Sequence, residues 1–208
     1  MTTKDLNKLL LQKPLPFKNY YQTMSVKTQL VMHHTGGGTG NSAWSWFKER
    51  NGGNGTISVP YIIEPDGSIL NLFQNPFQFG YHLGVAGKSN LDKSSIPMEL
   101  VNWGFLKEVE IGKKVKENEV VEYPNLFRGF KWFHKYTDAQ IESSYSLLKT
   151  LSFVAGIKLN YEYNQFFKVS KKALSGENGL YSHCSFRLDK TDCHPQPELI
   201  QMLTAVSS

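Results

Sequence analysis

One α/β domain, a central mixed β-sheet flanked by helices, is the fold class this sequence predicts. Short β-rich apolar runs alternate with helical segments, two of those runs flank a strong turn signal, and nothing in the middle of the 208 residues has the composition of a linker. The boundaries read as one domain over 1–208, with an N-terminal extension over 1–27 and a charged surface insertion over 105–123.

The elements follow in chain order. Asp5 to Gln12 predicts a short leading helix, which Pro14 and Pro16 would stop. Thr28 to His33 predicts a strand, and the glycines from Gly36 to Gly40 form an exit into a helix from about Asn41 to Arg50. Ile57 to Glu64 and Ser68 to Phe73 predict two strands around the hairpin signal Pro65-Asp66-Gly67. Ser95 to Trp103 predicts another strand. The segment from Phe105 to Tyr123 carries Lys113-Lys114-Val115-Lys116-Glu117 and predicts a surface hairpin of no legible function. Thr137 and Gln140 have capping-box spacing, and Ile141, Tyr145, Leu148, Leu151 and Ala155 recur at helical intervals, so a long helix starts there. A last helix begins at Pro197, since proline suits the first turn, and runs to about Ala205.

Composition narrows the function. With 40% hydrophobic and 13% aromatic residues the chain can build a core, and no apolar stretch approaches the roughly 18 to 20 residues that span a bilayer. Leu9-Leu10-Leu11 is too short for a signal peptide, so cytoplasmic synthesis without export is the expectation, and with it reduced Cys184 and Cys193. A net charge of +5 suits polyanionic surroundings. A nucleic-acid binder would cluster its basic residues among aromatics, whereas here lysines are scattered with acids among them, so neither nucleic acid nor membrane is expected as partner.

Two distant segments look like halves of one metal site. His33 ends an apolar run, and His183 lies shortly before Lys190-Thr191-Asp192-Cys193-His194-Pro195, which packs an acid, a thiol and an imidazole together. Imidazole plus carboxylate or thiolate, with one coordination position open, is what catalytic zinc requires, and hydrolysis is the chemistry it serves. Each residue also has a structural reading: a histidine at a strand end is commonly a satisfied core group, and Glu99 would be an ordinary strand charge were Ile96, Met98, Leu100 and Val101 not so apolar. Side chains alternate along a strand, so only one of His33 and His34 can face the metal. His134, among aromatics, reads as structural, and His194 as a support for a ligand or a loop residue facing solvent. Gly36 to Gly40 lacks the Gly-Lys-Ser/Thr ending of a phosphate loop and reads as a cleft rim.

Five stretches, in order, resemble the zinc-dependent N-acetylmuramoyl-L-alanine amidases, the group of phage lysins, cytoplasmic anhydromuramyl-peptide amidases and peptidoglycan recognition proteins. They are Leu30-Val31-Met32-His33-His34-Thr35, the hairpin Tyr61 to Ile69, Tyr81-His82-Leu83-Gly84, Ser95-Ile96-Pro97-Met98-Glu99, and Lys190-Thr191-Asp192. The resemblance implies hydrolysis of the amide joining N-acetylmuramic acid to L-alanine in peptidoglycan or a muropeptide, with Zn2+ as cofactor, and a monomer is expected. It implies His33, His183 and Asp192 as ligands, with Cys193 the alternative, because some members use cysteine just ahead of a proline and here His194 intervenes. It implies Glu99 as general base, since Val59 stands where other members have a tyrosine, and Lys190 as oxyanion stabiliser. His34, Thr35, His82 and Asn102 are expected to contact substrate, His82 alternatively packing with Tyr81. It leaves open a lysin that reaches the wall after holin-type release, a recycling enzyme, and a binding module without catalysis.

Overall fold

The computed structural model describes residues 9–53 and 56–208. In chain order the main elements are β1 (Leu10–Gln12), β2 (Gln29–His34), α1 (Gly40–Gly53), β3 (Tyr61–Ile63), β4 (Ile69–Asn71), α2 (Ser89–Lys93), β5 (Ser95–Leu100), β6 (Phe105–Leu106), β7 (Val120–Phe127), β8 (Phe130–His134), α3 (Asp138–Ala155), α4 (Tyr163–Phe167), α5 (Lys171–Leu174), β9 (Gly179–Ser182) and α6 (Pro197–Val206). Six strands make a mixed sheet in the order β1-β4-β3-β5-β2-β9, in which β3 and β4 are the one antiparallel pair. The α/β class and the mixed sheet flanked by helices are as the sequence predicts.

Alternation along β2 sorts its side chains between two cores. Leu30 and Met32 join Ile96, Met98 and Leu100 of β5 under α3 and α6, where Leu148, Leu151, Leu199 and Leu203 close the layer. Val31 turns to the other face, against Leu83, Leu91 and Tyr181. His33 continues the Val31 face and Glu99 the face opposite Met98. Parallel β strands buried on both sides lose polar alternation, which is why these runs read as nearly continuous apolar stretches.

The caps behave as the sequence suggests. The Thr137 hydroxyl accepts from the Gln140 N–H, and α3 ends at Gly156 with φ 66, a left-handed conformation that glycine adopts at no steric cost. At the hairpin, Gly67 has φ 86 and the Glu64 N–H donates to the Ser68 carbonyl.

The leading helix is a correction. Leu10–Gln12 is a strand, paired in parallel with Ile69, Leu70 and Asn71, and the Lys13 and Leu15 N–H groups continue that pairing onto Asn71 and Leu72. An open sheet edge offers backbone partners that local propensity cannot anticipate; Asp5 to Lys8 lie outside the described residues. Farther along the extension, Leu15, Asn19 and Tyr20 are buried, with Tyr20 stacked on Phe73 at 4.2 Å. The charged segment is larger than a hairpin over 105–123: it continues to His134 as a three-stranded antiparallel sheet ordered β6-β8-β7. No helix among the described residues is long and apolar enough to cross a membrane.

Candidate active site

Strands β5, β2 and β9 run parallel and side by side, so their C-terminal ends open on one edge of the sheet, the usual place for a ligand in an open α/β sheet. His33 is the fifth residue of β2, Glu99 its in-register neighbour on β5, and His183 the first residue of the 3-10 turn that follows β9. The closing loop is tied beside them by the Cys184 N–H, which donates to the Asp192 carbonyl at 3.1 Å.

The structure brings His33, His183 and Asp192 together, all buried. His33 Nδ1 lies 3.1 Å from His183 Nδ1 and 3.1 Å from Asp192 Oδ2, and His183 Nδ1 lies 3.0 Å from the same oxygen. Ligands on a tetrahedral zinc, with bonds of about 2.0 to 2.1 Å, sit about 3.3 Å apart. The donor set fits a cation for a second reason. His183 Nε2 lies 3.0 Å from the Leu83 carbonyl, so the one proton of a neutral ring belongs there, and Nδ1 turns a lone pair toward a carboxylate oxygen. Two lone pairs at that distance repel unless a positive charge lies between them. The Asp192 carboxyl, despite a burial that pushes it up, is held well below the usual range by the neighbouring His183 and His33. Burial, and then His183, lowers His33 to about 4.

Glu99 and Lys190 line the same cavity, of about 710 Å³, with these three residues, His34 and Thr35. Glu99 Oε2 is buried without a hydrogen-bond partner among the described residues, and burial, followed by the charge of Asp192, raises the carboxyl well above its ordinary value. Lys190 pairs with no carboxylate among the described residues. A carboxyl with a raised pKa and an unpaired ammonium beside a cation site are the parts of an acid-base hydrolytic centre.

Two expected positions, Cys193 and Asn102, lie outside the cavity lining, and His82 borders it. The Cys193 side chain is fully buried in the main core, with burial pushing its thiol well up, and Asp192 alone of the two points to the histidines. Asn102 is buried and saturated: its amide donates to the His134 and Lys135 carbonyls at 2.9 Å each, and its oxygen accepts from the Gly104 N–H, so it fastens the turn after β5 instead of meeting substrate. His82 borders the cavity with its side chain 3% exposed and both ring nitrogens engaged inside the protein, by His33 and Ser95. His34 reaches the cavity while its Nδ1 meets the Tyr136 hydroxyl at 3.0 Å, and Thr35 bridges Gly37 and Asn102. His194 is fully buried, stacked on Tyr136 at 4.5 Å.

Sequence reasoning did not single out Arg50, Trp46 or Arg187 in the cavity wall. Arg50 and Trp46 lie on α1, where the guanidinium sits 4.3 Å from the indole, and i,i+4 spacing was the available signal. Ser95 was equally readable, because residues 95, 97 and 99 of one strand share a face.

An α/β sheet whose parallel strand ends and closing loop bring two imidazoles, a carboxylate and an unpartnered carboxyl to one cavity defines a hydrolase with a site that can hold a metal ion. The family model for N-acetylmuramoyl-L-alanine amidase matches residues 22–197, and the chain belongs to that family. It is therefore a peptidoglycan amidase by family. Similar folds are found in PlyL (TM-score 0.58, 10% identity, 96% of this chain and 97% of that one), the catalytic domain of XlyA (0.55, 14%, 96% and 99%) and the endolysin LysCS from Clostridium intestinale URNW (0.52, 14%, 94% and 93%). No curated protein sequence matches.

Proposed function

We propose that the chain is a single-domain, zinc-dependent amidase in which His33, His183 and Asp192 hold the ion. Its substrate is the amide between the lactyl group of N-acetylmuramic acid and the L-alanine of a stem peptide. The observation that carries this reading is the three donor atoms 3.0 to 3.1 Å apart in a cavity shared with Glu99 and Lys190. Zinc bound there supplies a Lewis acid for the scissile carbonyl and lowers the pKa of a coordinated water to about 7.

The chain's own residues supply the rest. Glu99 takes a proton from the attacking water and delivers it to the leaving nitrogen, so the C–N bond breaks to a lactyl carboxylate and a free α-amine. The Lys190 ammonium faces the oxygen on which negative charge develops. His34 and Thr35 line the same cavity, where they can contact the substrate.

The net charge of +5 and the fold shared with an endolysin favour action on intact wall, as a lysin released from the cell that makes it, over recycling of soluble muropeptides. The test is digestion of purified sacculi and of soluble anhydromuropeptides, with and without a chelator, with new ends identified by mass spectrometry. Chelator-sensitive release of L-alanine amino termini from sacculi is expected. Binding to sacculi without new ends would make the chain a recognition module.

A further inference from the structure

Behind His33 runs a row of hydrogen bonds whose polarity can be assigned donor by donor. The Ser95 hydroxyl lies 2.7 Å from the Leu91 carbonyl, which has no proton to give, so the hydroxyl donates there. Its oxygen then accepts from His82 Nε2–H, also at 2.7 Å, and a neutral His82 ring keeps only a lone pair on Nδ1. That lone pair faces His33 Nε2 at 2.9 Å, so His33 carries its proton on Nε2 and leaves Nδ1 bare, the atom that meets His183 and Asp192. Reverse polarity would turn the Ser95 hydroxyl away from a carbonyl 2.7 Å off and leave that acceptor facing a lone pair. The backbone that carries this row is fixed as well: Asp92 Oδ1 accepts the N–H groups of His82 at 2.7 Å and Leu83 at 2.9 Å, and the Leu83 carbonyl accepts from His183 Nε2.

We propose that His82 is a positioning residue that sets the tautomer of His33, with Ser95 anchoring its ring and Asp92 holding its backbone. This rests on reading His33 as a metal ligand. Without an acceptor at His82, the proton of His33 has a better partner on the opposite nitrogen, since Asp192 Oδ2 lies 3.1 Å from Nδ1. Nδ1 would then be blocked by a proton that zinc must displace, and partners of this kind commonly change metal affinity by about 10- to 100-fold.

The experiment compares wild type with His82→Leu, which removes the acceptor, and His82→Asn, whose side-chain oxygen takes the place of Nδ1. Two-bond proton–nitrogen correlation on metal-free, ¹⁵N-labelled protein reads the His33 tautomer, and competition with a chromophoric chelator reads zinc affinity. Wild type and His82→Asn should show His33 protonated on Nε2. His82→Leu should show it on Nδ1 and bind zinc about 10- to 100-fold more weakly, most of the loss being recovered in His82→Asn. Should His82→Leu fail to fold, Ser95→Ala serves in its place and should weaken zinc in the same direction. Wild-type His33 protonated on Nδ1, or unchanged affinity in the variant that folds, overturns the proposal. Wild type that binds no zinc overturns the metal reading instead, while the tautomer, read without metal, decides the role of His82 separately.

Discussion

His33 and Glu99 stand in register on adjacent parallel strands, each directly after a methionine of the main core, Met32 and Met98. A proposed ligand and a proposed base are thereby held by the sheet itself, on the most rigid element available, instead of by loops. Glu99→Gln keeps the volume and hydrogen-bonding capacity but removes the basic site. Folding, zinc content and binding to sacculi should survive, while turnover falls about 10²-fold or more, within the ~10² to 10⁴ that general acid-base catalysis contributes. Turnover at the wild-type rate would place the base elsewhere.

The same carboxyl should shape the pH profile. Burial, and then the charge of Asp192, raises Glu99 well above 4.5. A base must be ionised to act, so kcat/KM should rise with pH along an acid limb whose midpoint lies above 4.5. In Glu99→Gln that limb should vanish from the residual rate. A limb that persists unmoved in the variant would assign it to another group.

Metal content tests the ligand set. One zinc per chain is expected, lost with activity in His33→Ala, His183→Ala or Asp192→Ala. Cys193→Ser should keep its zinc, because the thiol is buried in the main core and is not part of the donor cluster. Its expected cost is a small loss of stability, because the Tyr136 hydroxyl beside the thiol can partner the serine hydroxyl. Zinc loss in Cys193→Ser with retention in Asp192→Ala would exchange the two roles.

What the sequence disclosed and what it hid divide along physical lines. The His33 strand, the α3 cap at Thr137 and the proline start of α6 are local signals, carried by residues a few positions apart, and the structure follows them. β1 misled because a row of leucines says nothing about an open sheet edge whose residues, Ile69 to Asn71, come much later in the chain. β9 gave no signal: Gly179–Ser182 is four residues buried on both faces, too short for periodicity. In the site, Asp192 against Cys193 was a matter of one residue of register in an irregular loop, where no period decides which side chain turns inward. Asn102 and His82 were expected at the groove because they lie in stretches that resemble the family's motifs, and their hydrogen bonding to the Lys135 carbonyl and to Ser95 depends on other chain segments.

Without metal, acid should destabilise the protein through its histidines. His33 and His34 are lowered from 6.5 to about 4, each mainly by burial, and burial holds His82 and His194 well below 6.5. A base whose folded pKa is depressed stabilises fully above the unfolded value and loses that contribution as pH falls from 6.5 toward 4, roughly 3 kcal/mol for a shift of this size. Glu99 acts in the opposite sense: its raised pKa makes the folded state bind a proton that the unfolded chain does not hold above 4.5. Four histidines outweigh one carboxyl, so denaturant midpoints should drop between pH 6.5 and 4, and drop more steeply in Glu99→Gln. A flat profile would contradict neutral, buried imidazoles.

Arg128 gives the small β6-β8-β7 sheet a task that can be measured. It sits at the β7–β8 turn with φ 53, a left-handed conformation that costs an arginine roughly 1 kcal/mol or more and that glycine would adopt freely. Its guanidinium donates to the Leu188 carbonyl at 2.7 Å and to those of Phe167 and Cys184 at 3.0 Å each, so one side chain fastens the segments before and after His183 to the added sheet. Hydrogen bonds from a charged donor contribute about 1.5 to 3 kcal/mol apiece at best and less where solvent reaches them. Arg128→Ala should therefore lower stability by about 2 to 4 kcal/mol and weaken zinc binding severalfold. Arg128→Lys, a single point donor in place of a planar fork, should recover less than half. Arg128→Gly separates backbone from side chain: if relief of the left-handed strain were the larger effect it would be as stable as wild type, and a thermal melt well below wild type shows that the three carbonyl bonds dominate.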